Sequence, residues 1–127
     1  MWVYEQSSGG LFRDGKLIGS GYSGTGEGKN NPKAQKLKAV GPIPCGYYTI
    51  GTPYDTKTHG PLVIPLLPDA ANEMFGRSAF LIHGDSIKAP GTASHGCIIQ
   101  GRKVRESVIT SNDKRLKVVD FFPQAQS

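Results

Sequence analysis

Only two of the 127 residues are cysteine, Cys45 and Cys97. Two thiols are too few for a disulfide framework, which excludes a small stapled scaffold. They are still able to pair with each other, and such a bond would occupy both. No apolar run approaches the roughly 20 residues of a membrane-spanning helix, so the chain reads as not transmembrane. The stretch Met1-Trp2-Val3-Tyr4-Glu5 lacks the charged start and apolar core of a secretory signal. Paired CxxC and HxxxH spacings are absent too, and no resident metal or cofactor is expected. Acidic residues are the scarcer charge, 10 against 15 basic, for a net +5. That balance favours solubility and an acidic partner. The basic residues are scattered, and the densest run, Lys29 to Lys38, reads as a solvated loop. With no nucleic-acid motif present, nucleic acid is not an expected partner.

What is abundant is backbone punctuation, with 17 Gly and 9 Pro. That composition argues for strands and turns over long helices. The length suits a single domain, residues 1–127, able to bury roughly two thirds of its unfolded surface. The fold class expected is mainly β, with one short helix at about 101–112.

The chemistry concentrates in His83 to Cys97, HGDSIKAPGTASHGC. An apolar run, Phe80-Leu81-Ile82, feeds into His83, and Cys97 leads into Ile98-Ile99. The Gly/Pro/Ser-rich loop between them can fold back and set an imidazole beside a thiol. A free thiol near pKa 8.5 is only about 3% ionised at pH 7. A neighbouring imidazole takes its proton, and the resulting cation stabilises the thiolate. Gly96 allows close approach to the backbone, so the amides of His95, Gly96 and Cys97 can face a developing oxyanion. The alternatives are plain: Cys97 as a small buried hydrophobe and His83 as a satisfied core histidine. A zinc site from His83, His95, Cys97 and His59 is a further alternative that no ligand spacing supports.

His83-Gly84 and Ser94-His95-Gly96-Cys97-Ile98 resemble the signature of the L,D-transpeptidase (YkuD-like) family. Upstream, Pro44, Gly46 and Ile50 within Gly41 to Ile50 fall in register with that family's Pro-x-Gly stretch. The resemblance covers roughly residues 1 to 120. It implies an L,D-transpeptidase-like β-sandwich or mixed sheet. It also implies an enzyme in which Cys97 attacks the meso-diaminopimelate–D-Ala bond of a peptidoglycan stem tetrapeptide. His83 would be general base, the Gly84 backbone carbonyl would orient it, and Ser94 would support the loop. Transfer and hydrolysis are both open, giving L,D-transpeptidase or L,D-carboxypeptidase activity. The chain departs from the family in having Ile99 and Gln100 where many members place a carboxylate-binding Arg or Asn. Arg77 and Arg102 are the candidates to replace it, with Tyr48 as a third substrate contact. For the two arginines the alternative is a surface cation, and for Tyr48 a place in the core or sheet. The compact form is similar to a branch used as antibacterial effectors. That likeness implies action in the periplasm or cell wall, delivery by specialised secretion or phage lysis, and an immunity protein or carrier as partner. A non-catalytic peptidoglycan-binding module on the same fold is the competing reading.

In chain order, Trp2 to Gln6 reads as a strand. Leu11-Phe12-Arg13 and Lys16-Leu17-Ile18 flank Asp14-Gly15, a type I′ hairpin signal, so the start is a β-meander. Gly19 to Gly28 has five glycines but no GK[ST] and no following helix, so it is no phosphate cradle. It is expected to be a flexible loop closing over a peptide near the active site. Pro32 starts a short helical turn in Asn30 to Lys38. Tyr47 to Ile50 is a strand. Thr52 to Gly60 is a loop with a solvated His59. Pro61 to Pro68 is an interrupted strand, its prolines marking an edge or a bulge. Asp69 to Phe75 makes one helical turn. Val104, Val108 and Ile109 give the helix its apolar face, and Asn112 ends it. Leu116 to Val119 is the last strand, Phe121-Phe122-Pro123 pins the end, and Gln124 to Ser127 frays.

Overall fold

The computed structural model describes residues 1–122. It is mainly β, a mixed sheet of ten strands with one helix. The strands are β1 (Trp2–Glu5), β2 (Gly10–Arg13), β3 (Lys16–Ser20), β4 (Tyr22–Ser23), β5 (Gly46–Ile50), β6 (Tyr54–Thr56), β7 (Gly60–Pro68), β8 (Phe80–His83), β9 (Ile98–Ile99) and β10 (Arg115–Val119). Helix α1 spans Arg102–Thr110. The strands run β3-β2-β1-β10-β5-β7-β8-β9-β4, with β6 paired to β7 off that path. The pairs β1/β10 and β8/β9 are parallel and the others antiparallel.

The two ends of this path, β3 and β4, are separated in sequence by Gly21 alone. The sheet must therefore roll until its ends meet. Gly21 forms the seam: its N–H donates to the Gly9 carbonyl at 2.9 Å. A Cβ at Gly21 would lie 1.6 Å from the Ile99 carbonyl oxygen, closer than any side chain allows. Gly21→Ala is therefore expected to cost about 3 kcal/mol, read as a lowered urea midpoint, because backbone on both sides must shift.

Inside the roll, period-two alternation sends Trp2, Tyr4, Leu11, Tyr48, Ile50, Ile64, Leu66, Phe80, Ile82, Ile98, Leu116 and Val118 into one core. The helix closes it with Val108, and Val104 and Ile109 pack alongside. Asn112, at φ 57°, stops the helix in the left-handed conformation that asparagine tolerates. The hairpin is as expected: Arg13 pairs with Lys16, and Asp14 and Gly15 both have positive φ. So is the turn after Pro32, a short 3-10 segment at Pro32–Ala34 capped by the Asn31 side chain.

Three expectations are corrected. First, the proline-rich β7 is not an edge strand. It lies between β5 and β8, with β6 pairing its first half. Pro65 is tolerated because its carbonyl accepts the Gly51 N–H, just where β5 ends. Its missing donor thus faces the break between β5 and β6. The bulge alternative does hold, with Leu62 at φ 58° and a register shift against β6. Second, Asp69 to Phe75 forms turns, not a helical turn. Asn72 is drawn sideways onto β5, exchanging hydrogen bonds with the Tyr47 N–H and carbonyl at 3.0 and 2.9 Å. Third, Thr52 to Gly60 contains a strand, β6. At the carboxyl end Phe122 stacks edge-on against Phe12 at 4.7 Å, while Phe121 is exposed. Pro123 and Gln124 to Ser127 lie outside the described residues.

Candidate active site

Alternation along β8 sends Phe80 and Ile82 into the core and Leu81 and His83 to the opposite face. Its neighbour β9 is parallel, with Ile82 opposite Ile98 and His83 opposite Ile99. Cys97 immediately precedes Ile98, so it falls opposite Leu81 on the His83 face. The two residues are diagonal neighbours, about 8 Å apart along the backbone by strand spacing and rise. The site is thus a histidine at the end of one strand and a cysteine at the start of the next. Each lines its own cavity. His83 borders one of about 730 Å³ and Cys97 borders one of about 250 Å³.

His83 is almost fully buried, with 2% exposure. Its Nδ1 lies 2.9 Å from the Gly84 carbonyl oxygen. A carbonyl only accepts, so Nδ1 carries the hydrogen and Nε2 presents a lone pair. That Nε2 is buried without a partner. Burial, above all, holds the imidazole below the ordinary histidine pKa, and nearby His59 and Arg105 act the same way against the Gly84 bond and Asp85. The resting ring is neutral and ready to accept a proton.

Cys97 is half-buried and free, as is Cys45. Burial pushes the Cys97 thiol up, opposed by a backbone hydrogen bond at Leu81 and by the Arg77 charge. The thiolate–imidazolium pair expected from sequence is therefore not the resting state. Burial penalises both charged forms, which favours neutral thiol and neutral imidazole, and no hydrogen bond joins His83 Nε2 to Cys97. Alkylation of Cys97 by iodoacetamide is expected to be slow at neutral pH. Its rate should rise only above the ordinary thiol range, as followed by peptide mass spectrometry. A midpoint below about 7 would contradict this picture.

The loop before Cys97 is tied down by buried hydroxyls. Ser94 Oγ accepts the N–H groups of Gly24 and Gly96 at 2.9 and 3.0 Å and donates to the Cys97 carbonyl at 2.6 Å. Ser23 Oγ donates to the Gly96 carbonyl at 2.8 Å and accepts the Ile43 N–H. The Gly19 to Gly28 stretch is thus no free flap. Part of it is β3 and β4, and the rest braces the cysteine loop. Gly96 itself has φ 139°, with Arg77 packed where a Cβ would sit. Its amide is engaged by Ser94, which removes Gly96 from the expected trio of oxyanion donors.

The substrate candidates separate. Tyr48 is fully buried, its hydroxyl donating to the Pro44 carbonyl at 2.7 Å, so it is core and not a substrate contact. Arg77 is neither a surface cation nor a free carboxylate binder. It is buried and donates to the carbonyls of Gln35, Pro42, Gly41 and His95 at 2.5–3.3 Å. Arg102 is exposed, 3.5 Å from Glu106, and lines the His83 cavity. The His95 ring is exposed, 3.3 Å from the Ala39 carbonyl oxygen.

The sequence reading misplaced one residue of this site and missed another. His59, expected to be simply solvated, sets its ring 4.5 Å from that of His83. Arg105 is buried beneath the same cavity, its guanidinium against Gly84. In sequence His59 reads only as a solvated loop residue or a fourth zinc ligand, with nothing to set its ring beside that of His83. Arg105 fell at an i+4 step from Gly101 inside a helix face read as polar. Among the described residues, no three His, Cys, Asp or Glu side chains come together as metal ligands would, so the zinc alternative finds no ligand cluster. Among the described residues, no helix is long and apolar enough to cross a membrane.

No curated protein matches the chain. A family model for the Tlde1 domain matches residues 18–122, which contain β4, β8, β9, α1 and both cavities. The chain belongs to the Tlde1 domain family, a family of toxin effector domains.

Proposed function

We propose that this chain is a peptidoglycan-modifying cysteine enzyme of the L,D-transpeptidase type, acting as an antibacterial effector. The observation that carries the reading is His83. Its Nδ1 is held by the Gly84 carbonyl, its Nε2 is buried without a partner, and strand register sets Cys97 just before the neighbouring strand, diagonal to it. A buried unpaired acceptor is costly, and this histidine also borders the cavity of about 730 Å³, where a substrate can reach it.

Cys97 Sγ attacks the carbonyl of the meso-diaminopimelate–D-Ala bond. The thiol proton passes to His83 Nε2 as the sulfur–carbon bond forms. Starting from neutral partners suits a general base, since the proton moves only as attack proceeds. The amides of His95 and Cys97 are the remaining candidates for holding the oxyanion. The carbon–nitrogen bond breaks, His83 returns the proton to the D-Ala nitrogen, and a thioester stays on Cys97. Water gives L,D-carboxypeptidase activity, and an amine gives transfer or D-amino-acid exchange. Such an enzyme works in the periplasm or wall of a target cell, delivered by specialised secretion, and its producer needs an immunity protein.

Muropeptides incubated with the protein and analysed by mass spectrometry test this. Loss of D-Ala from tetrapeptides supports it, and unchanged tetrapeptides sink it. The pH dependence follows from His83. Its folded pKa is depressed, so the folded and unfolded forms are both neutral above about pH 6.5, and stability is fully present there. Below about 6.5 the unfolded chain protonates first and stability falls. Tm is expected to drop as pH falls below about 6.5, and by less in His83→Gln. An equal drop in both would show that His83 is not the buried neutral group.

A further inference from the structure

The cavity beside His83 carries more positive charge than proton transfer needs. Lys88, Arg102 and Arg105 line it, and its single lining carboxylate among the described residues is Asp85. Asp85 is already occupied, accepting from the Tyr22 hydroxyl and the Ser86 and Gly91 amides. The cavity also meets the start of α1, where Gly101 gives no side-chain cap and the first turn has no acidic residue.

Arg105 is the fixed cation of this set, 6% exposed. Its Nε donates to the Gln100 carbonyl at 3.1 Å, and its Nη1 to Pro61 and Leu62 at 2.9 and 2.7 Å. These bonds lock the guanidinium plane. Nη2 has no partner among the described residues, and it sits 2.9 Å from where a Cβ on Gly84 would be. A buried guanidinium with one nitrogen unspent, beside the residue that orients His83, is a pre-set anion binder.

The two cavities divide the reaction. The acyl group remains with Cys97, whereas the leaving amine must lie on the side of the base that protonates it. The α-carboxylate of a leaving D-amino acid is attached to the carbon next to that amine. We infer that Arg105 binds the free α-carboxylate of the amino acid leaving from, or entering, the His83 side of the acyl-transfer centre. This rests on the proposed function. Arg105 stays protonated throughout and exchanges no atoms. It is a specificity determinant that makes a C-terminal carboxylate a requirement.

Two measurements test it. Stem tetrapeptides with a free or an amidated C-terminal D-Ala are compared with the wild-type protein and Arg105→Lys. Wild type is expected to prefer the free acid by about 10- to 100-fold in kcat/KM, the range for losing one charge-assisted hydrogen bond. In Arg105→Lys that ratio should fall to within a few-fold. A ratio is unaffected by partial misfolding, because both substrates meet the same protein. Equal use of both substrates by wild type, or an unchanged ratio in the variant, overturns the assignment. Turnover of neither substrate would instead sink the proposed acyl-transfer function. The cavity is then judged by titrating wild type with N-acetyl-D-alanine and its neutral amide, followed by amide NMR. Saturable shifts at Gly84, Gly101 and Arg102 with the acid alone support the site, and shifts with both or neither overturn it.

Discussion

Cys97→Ala is expected to abolish release of D-Ala from stem tetrapeptides, by at least about 10⁴-fold, with the fold intact. The argument is chemical. The His83 cavity offers a base and cations but no thiol of its own among the described residues, and Cys45 is no substitute. Burial, above all, pushes the Cys45 thiol up to about 11, and its N–H is tied to Gln35. Removing one sulfur from a half-buried side chain costs the core little, since Cys97 lies outside the main cluster. Thermal unfolding within a few degrees of wild type, with activity gone, is the expected pair of results. Retained D-Ala release would move the nucleophile elsewhere. Retained wall binding and biological effect without catalysis would favour the binding-module reading.

The largest effect on stability is expected at Arg77. Its guanidinium joins three stretches that no strand pairing connects: Gln35, Gly41-Pro42 and His95. It also lies over the Phe80 ring at 5.3 Å. Arg77→Met keeps length and apolar stem but leaves four carbonyls without this donor. Each buried, unpaired polar group costs about 1–3 kcal/mol, reduced where water enters. A loss of at least about 3 kcal/mol is expected, seen as a Tm lowered by roughly 10–15 °C. Arg77→Lys should recover only part, because an ammonium cannot reproduce the planar fork. Because the His95 carbonyl is one of the four, surviving folded protein should also lose activity. A Tm change under about 3 °C would show that the network is not what holds the cysteine loop.

Much of this site was legible because its chemistry is local in sequence. The His83-Gly84 and Ser94-to-Cys97 motifs lie within one loop, and the apolar runs beside them announced β8 and β9. The Asp14-Gly15 turn and the helix face of Val104, Val108 and Ile109 were readable for the same reason. What stayed hidden depends on distant pairing. Nothing near Gly21 says that it is the seam between β3 and β4. The prolines of β7 read as edge markers because the break between β5 and β6, into which Pro65 fits, is set by other strands. Arg77 read as a carboxylate binder or a surface cation, and Arg105 drew no reading, because their partners are backbone carbonyls, which carry no residue signature. Electrostatics was misread for a related reason. A thiol and an imidazole close in sequence suggest an ion pair, but burial of both favours the neutral forms and each lines its own cavity.

The central claim is a covalent intermediate on Cys97. Intact-protein and peptide mass spectrometry after brief incubation with a stem tetrapeptide tests it most directly. The expected result is an adduct of the acyl tripeptide, one D-Ala lighter than the substrate, mapped to Cys97 and not to Cys45, with free D-Ala in solution. An unmodified protein in the presence of released D-Ala, or an adduct on another residue, would contradict the account.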